Sequence, residues 1–280
     1  MFVVAIPDNG NNALHDIPGT IVLAGAGKMG GAMLAGWLAR GLDPHRLVVV
    51  DPTLSPDIDA LAVRGVRLNP TDAGPADTLV IAVKPQIFRE AGPRLQSFVG
   101  PGTLVLSIMA GTTIASLQAV CGGAVVRAMP NTPAAIGRGI TVAVAAGNVS
   151  AAQRLTTNAL LAATGSVEWV DDEVLMDAVT AVSGSGPAYV FLLAEELARA
   201  GVAAGLPEEL AARLARETVA GSGELLHRSD LPAATLRQNV TSPGGTTAAA
   251  LDVLMGHEEL QRLMIRAVAA ATARSRELAK

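Results

Sequence analysis

The stretch that most constrains this chain runs from residue 21 to residue 30. Ile21-Val22-Leu23-Ala24 is an unbroken apolar run, and Gly25-Ala26-Gly27-Lys28-Met29-Gly30 follows at once. A short apolar run closed by glycines is what a strand buried on both faces of a parallel sheet looks like. The glycines fit G-x-G-x-x-G, and a helical pattern opens behind them over residues 29–40, stopping at Gly41. In such a strand–turn–helix unit each glycine has its own task. Gly25 allows the tight turn, Gly27 lets the backbone approach a pyrophosphate, and Gly30 permits close helix–strand packing. The helix start offers free N–H groups and a positive dipole end to phosphates. The spacing therefore predicts a dinucleotide site formed by Gly25, Ala26, Gly27, Lys28, Met29 and Gly30.

The alternation continues downstream. Apolar runs at 47–50, 78–83, 104–108, 124–128, 140–145 and 167–170 are interleaved with helical patterns at 58–64 and 151–164. This predicts βαβ units in a parallel sheet with right-handed crossovers. After Asp171-Asp172 the strand runs stop. Helical segments follow at 173–182, 187–204, 207–227, 232–239, 246–254 and 257–278. The expected organisation is an N-terminal tail at 1–18, a Rossmann-like α/β dinucleotide-binding domain at 19–170 and an all-α domain at 171–280. Several helices of the second half are Ala-rich and apolar on more than one face, which favours an interlocked oligomer over a lone domain.

Composition removes other classes. A net charge of -4 with no basic cluster gives no footprint for nucleic acid. Cys121 is the sole cysteine, and His15, His45, His227 and His257 are scattered, so neither a disulfide framework nor a metal site is expected. Residues 95–126 carry no charge, but Gly100-Pro101-Gly102, Gly111-Thr112-Thr113 and Gly122-Gly123 cut them into strand-length and short-helix pieces, so no membrane span is expected. The apolar run at 2–6 is too short for a signal-peptide core. A cytoplasmic protein is expected.

Further motifs cluster at expected strand ends, where open α/β sheets gather ligands. Asp51 follows the second strand, placed to bind the ribose 2′-OH of NAD, and no Arg or Lys lies between it and Ile58. Val83-Lys84-Pro85 ends a later strand, where Lys84 could contact cofactor. In Arg127-Ala128-Met129-Pro130-Asn131-Thr132-Pro133, two prolines stiffen a loop presenting Asn131 and Thr132. In the helical half, Ser183-Gly184-Ser185-Gly186-Pro187-Ala188-Tyr189 and Ser242-Pro243-Gly244-Gly245-Thr246-Thr247 are Gly/Ser turns opening helices, with backbone N–H groups suited to a carboxylate. Taken singly, Asp51 also reads as a surface turn residue, Lys84 as an exposed loop lysine, the proline segment as a rigid turn, and the last two as well-capped helix connections.

Together the six motifs resemble pyrroline-5-carboxylate reductase, over about residues 20–278. The resemblance implies a Rossmann-like domain followed by a helical dimerisation domain, an intertwined homodimer assembled further, commonly into a decamer, and NADPH or NADH as cofactor. It implies a substrate loop at 239–247, partly supplied by the second subunit: Asn239, Val240, Ser242, Gly244, Gly245, Thr246 and Thr247, with Ser185 and Gly186 lining the same pocket. The loop amides would hold the substrate carboxylate, and the Thr247 hydroxyl would bond the ring nitrogen. On the cofactor side it adds Val83, Lys84, Pro85, Ala110 and Asn131 to the glycine turn and Asp51. Two positions depart from the family pattern. Gln238 precedes Asn239 where members often have Asp, and Asp51 stands where some NADPH-using members have Ser or Thr, which leans towards NADH.

The residue inventory agrees with imine reduction. Only Lys28, Lys84 and Lys280 are lysines, so the helical half has none before its last residue. A β-hydroxyacid dehydrogenase shares the domain plan but needs a Lys there to protonate an alkoxide. An imine arrives protonated and needs mainly orientation. A cofactor-binding regulator would have no use for both substrate loops.

Overall fold

The computed structural model describes residues 14–278. The seven apolar runs become strands β1 Ile21–Ala24, β2 Leu47–Val50, β4 Thr78–Ile81, β5 Leu104–Ser107, β6 Ala124–Met129, β7 Gly139–Ala145 and β8 Gly165–Trp169, and an unexpected two-residue strand, β3 Arg67–Leu68, joins them. The helices are α1 Lys28–Ala39, α2 Pro56–Asp59, α3 Phe88–Gln96, α4 Ile114–Cys121, α5 Ala151–Ala162, α6 Met176–Val179, α7 Gly186–Ala203, α8 Glu208–Arg228, α9 Ala233–Asn239, α10 Thr246–Leu254 and α11 Leu260–Leu278. The strands form one sheet in the order β3-β2-β1-β4-β5-β6-β7-β8. Strand order reverses between β1 and β4, so the doubly wound switch point lies at the carboxyl end of β1, where the glycine turn begins.

One expectation is corrected. The sheet is not wholly parallel, because β7 runs antiparallel to β6, with Met129 opposite Val142. Residues 130–138 form a loop with a 3-10 turn at Thr132–Ile136. That is too short for a parallel crossover, which needs roughly a dozen residues.

Side chains alternate along the strands and make two cores. Ile21 and Leu23 join Met33, Leu34 and Trp37 on one face. Val22 and Ala24 join Leu79, Ile81, Phe88 and Leu117 on the other. Trp37 is fully buried, and its indole N–H donates to the Leu160 carbonyl at 2.8 Å. The expected tail at 1–18 is corrected over its described part. Leu14 and Ile17 are core residues, and the Leu14 N–H donates to the Arg40 carbonyl at 2.9 Å. The remaining tail residues, 1–13, lie outside the described residues.

The chain divides into two compact units. One runs to Gly184 and takes back the chain from Thr272; the other is Ser185–Ala271. The apolar pattern changes near residue 170, but the following 3-10 turn Glu173–Leu175, α6 and a π turn at Thr180–Gly184 cluster with the sheet unit. The expected helix at 173–182 is thus three short pieces. In the second unit α7 and α8 pack through small residues: a Cβ on Gly201 would lie 3.1 Å from the Ala211 Cβ. Among its described residues only Ala211 and Ala215 are buried. Phe191, Leu193, Leu225, Val253 and Ile265 stand more than half exposed in the single chain. No described helix is long and apolar enough to cross a membrane.

Candidate functional site

The glycine turn is built by close backbone contact. Gly25 takes φ 95, and a Cβ there would stand 2.6 Å from the Ala82 carbonyl oxygen. Its N–H donates to the Val50 carbonyl at 2.9 Å, fixing the turn to the tip of β2. A Cβ on Gly30 would stand 2.1 Å from the Gly25 carbonyl oxygen, so α1 can lie this close to the turn only with glycine there. Gly27 differs, because a Cβ on it would meet nothing within 4 Å. It is the N-cap of α1, and no side chain caps that start. The first N–H groups of a helix have no intrahelical partner. An open glycine before an uncapped helix start can take a phosphate group. Lys28 opens that helix, exposed.

Asp51 lies at the tip of β2 and acts on the same turn. Its Oδ2 accepts the Ala26 N–H at 2.7 Å and its Oδ1 accepts the Thr53 N–H at 2.8 Å. Sequence reasoning gave Asp51 a ribose contact and missed this one, which pins the glycine turn. Each carboxylate oxygen keeps a lone pair for a further donor. Sequence reasoning also missed Asn69, a non-glycine residue at φ 46. Its Oδ1 accepts the Asp51 N–H at 3.0 Å and its Nδ2 donates to the Asp51 carbonyl at 2.8 Å. An isolated Asn after a two-residue strand carries no local signal beyond its tolerance of left-handed backbone.

Val83, Lys84 and Pro85 follow β4, and the exposed Lys84 caps the 3-10 turn Pro85–Ile87. Ala110 follows β5, beside Gly111 at φ 70. Asn131 follows β6 and its Oδ1 accepts the Ile140 N–H at 2.9 Å, so it holds the reversal into β7. The carboxyl ends of β1, β4, β5 and β6 thus gather the sequence-predicted residues of the first unit along one edge. Gly184 closes the π turn against Met129, whose methyl carbon would lie 2.6 Å from a Cβ there.

In the second unit Ser185 is the N-cap of α7, with Gly186 and Pro187 in its first turn. Asn239 ends α9 and Val240 follows it. The Gly245 N–H donates to the Ser242 carbonyl at 3.0 Å, and Gly244 takes φ 69. This turn delivers the chain to α10 with Gly245 as an N-cap that offers no side chain. Thr246 and Thr247 lie in its first turn, and the half-buried Thr247 hydroxyl makes no hydrogen bond with a described residue. Uncapped N–H groups beside a free hydroxyl can hold a carboxylate and a neighbouring polar hydrogen. No group of three or more metal-binding side chains occurs among the described residues.

Comparison with known proteins extends these observations. Residues 173–278 match the family described as pyrroline-5-carboxylate reductase dimerisation, and residues 20–111 match the family described as NADP oxidoreductase coenzyme F420-dependent. A pyrroline-5-carboxylate reductase of Pseudomonas aeruginosa is 39% identical over 93% of this chain and 97% of its own. A pyrroline-5-carboxylate reductase structure from Coxiella burnetii superposes with a TM-score of 0.82 at 35% identity, covering 94% of this chain and 99% of that one. A pyrroline carboxylate reductase structure from Plasmodium falciparum, with NADP bound, superposes with a TM-score of 0.74 at 30% identity, covering 93% of this chain and 98% of that one.

Proposed function

This chain belongs to the pyrroline-5-carboxylate reductase family, and on that premise we propose that it reduces 1-pyrroline-5-carboxylate to L-proline, the last step of proline biosynthesis. The observation that carries the reading is a pair of uncapped helix starts, α1 behind the open Gly27 and α10 behind the Ser242–Gly245 turn. The first fits a dinucleotide: Gly27 leaves open the space that a pyrophosphate needs, and the exposed Lys28 adds positive charge. When bound, the nicotinamide cofactor supplies a hydride to the C=N carbon.

The chain's own residues bind and orient. Gly25, Ala26, Gly27, Lys28, Met29 and Gly30 take the pyrophosphate, Asp51 the adenosine ribose, and Val83, Lys84, Pro85, Ala110 and Asn131 the remaining cofactor edge. The amides of Gly245, Thr246 and Thr247 hold the substrate carboxylate, with Asn239, Val240, Ser242 and Gly244 shaping the loop and Ser185 and Gly186 lining it. The ring nitrogen arrives protonated, and its N–H donates to Thr247 Oγ1. Hydride addition then leaves a neutral amine, and no Lys or His is needed as acid. Orientation is the chain's main contribution.

In our reading the site leans to NADH, because the Asp51 carboxylate stands at the tip of β2, where a 2′-phosphate would meet its charge, and no described basic side chain pairs with Asp51. The working unit is a homodimer, which covers the exposed apolar helices of the second unit, and in our reading dimers assemble further, as in a decamer. We take it to be a cytoplasmic enzyme. The test follows oxidation of NADH and NADPH with pyrroline-5-carboxylate. Turnover with either cofactor is expected, faster with NADH, and a flat trace at saturating cofactor overturns the activity.

A further inference from the structure

Segment 109–114 leaves the carboxyl end of β5 and enters α4. It is part of the rim on which ligands of such sheets sit. Two points of this segment, Ile114 and Gly111, are held from far along the chain. The Ile114 N–H, in the first turn of α4, donates to Glu173 Oε1 at 2.9 Å. The same oxygen accepts Arg127 Nη1 at 2.8 Å. Arg127 is 4% exposed on β6, so the sheet fixes the cation that fixes Glu173.

Four residues on, Asp177 holds a second anchor. Its Oδ1 accepts the hydroxyl of the buried Ser275 at 2.7 Å, and Arg276 Nε stands 3.7 Å from its Oδ2. These contacts seat the last turn of α11. Leu278 of that turn lies over Gly111, where a Cβ would stand 3.3 Å from the Leu278 Cβ. A partly buried ion pair is a weak source of net stability, but a charge-assisted bond to a helix-start N–H fixes geometry well.

We propose that Glu173 and Asp177 are positioning residues that clamp segment 109–114 as a preformed rim for the nicotinamide half of the cofactor. Glu173 grips the segment directly, and Asp177 grips it through the final turn of the chain. The assignment of that rim to nicotinamide rests on the function proposed above; the clamp itself does not.

The experiment uses the full-length protein with Glu173→Ala and, because loss of the Arg127 partner can impair folding, the milder Ser275→Ala. Amide exchange in the cofactor-free protein is expected to quicken about tenfold over 109–114 and to stay unchanged over β1. The dissociation constant of NADH, read by fluorescence, is expected to rise about three- to tenfold, the scale of one lost hydrogen bond. That of ADP-ribose, which lacks nicotinamide, stays at its wild-type value. Unchanged exchange over 109–114 in both variants overturns the clamp. Equal weakening of both ligands, with faster exchange throughout the sheet, also overturns it, since that is a general loss of structure. If wild-type protein binds no reduced dinucleotide, the cofactor reading fails, while the exchange measurement still decides the clamp.

Discussion

Gly27→Ala and Gly30→Ala add the same methyl group to one turn, three residues apart, with different consequences. Gly27 has φ -67, which alanine adopts freely, and its Cβ would touch no protein atom within 4 Å. Alanine there gains about 0.4–1 kcal/mol by restricting the unfolded chain. As an N-cap it is poorer than glycine by a similar amount, roughly 0.5–1 kcal/mol. The two offset, so the melting temperature should move by no more than about 2 °C. The methyl instead occupies the space left for a pyrophosphate. A clash of that kind costs about 1–3 kcal/mol, or roughly 5- to 150-fold in affinity. At Gly30 the Cβ would stand 2.1 Å from a backbone oxygen and 3.2 Å from the Ala82 Cβ. Neither backbone can yield without moving α1, so the cost lies at or above the top of the overpacking range, about 3 kcal/mol. For a domain of this size that lowers melting by about 6–12 °C. Thermal denaturation followed by circular dichroism measures the first effect, and fluorescence titration with NADH and NADPH measures the second. A wild-type dissociation constant in Gly27→Ala would refute the reading of the open glycine. Wild-type melting in Gly30→Ala would refute the packing argument.

Three further outcomes are expected. Thr247→Ala should slow turnover about 10- to 100-fold, the scale of one hydrogen bond to a charged group, while NADH binding stays intact; wild-type kinetics would remove Thr247 from the mechanism. Asp51→Ser should raise the ratio of kcat/KM for NADPH over NADH by about tenfold, since a carboxylate facing a phosphate costs on the order of 1 kcal/mol per charge pair even in watery surroundings; an unchanged ratio would sink the reading. Cys121 is buried, and desolvation pushes its thiol from 9.0 up to about 11. The native thiol should therefore resist a disulfide reagent at pH 8 and react once unfolded. Because the folded state holds that proton more tightly, this contribution is complete below 9.0 and lost as pH rises towards 11. Urea midpoints should fall across that window more in wild type than in Cys121→Ala.

The strands were legible because they are buried on both faces: β1 and β2 are unbroken apolar runs, β5 is one up to its last residue, Ser107, and they could be little else. Their direction was not. An apolar run reads the same either way, and only the shortness of residues 130–138 betrays the reversal at β7. Helix α3 escaped notice because Arg89, Glu90 and the internal Pro93 break its apolar face, and packing of Phe88 and Leu95 overrides them. The two-residue β3 has no run to read; it pairs with Val48 and Val49 of β2, and the Asn69 side chain just beyond it bonds Asp51. The glycine turn and the two Gly/Ser turns of the helical half were legible because unusual backbone demands unusual residues. The partners of Glu173 and Asp177 were not. Arg127, Ile114 and Ser275 lie 46, 59 and 98 residues from them, and nothing local announces a bond at such separations.

The two units differ in what holds them. The sheet unit has a core on each face of its strands, whereas the unit from Ser185 to Ala271 buries only two alanines within one chain. With the proposed homodimer covering its apolar helices, this unit is expected to draw much of its order from association, and refolding to include a bimolecular step whose rate scales with protein concentration. The turn that carries Thr247 belongs to this second unit. On the function proposed above, dilution is expected to reach the proposed substrate loop before the glycine turn, leaving chains that bind dinucleotide but no longer hold an imine. A shortage of subunits is then expected to lower the activity of each chain as well as their number.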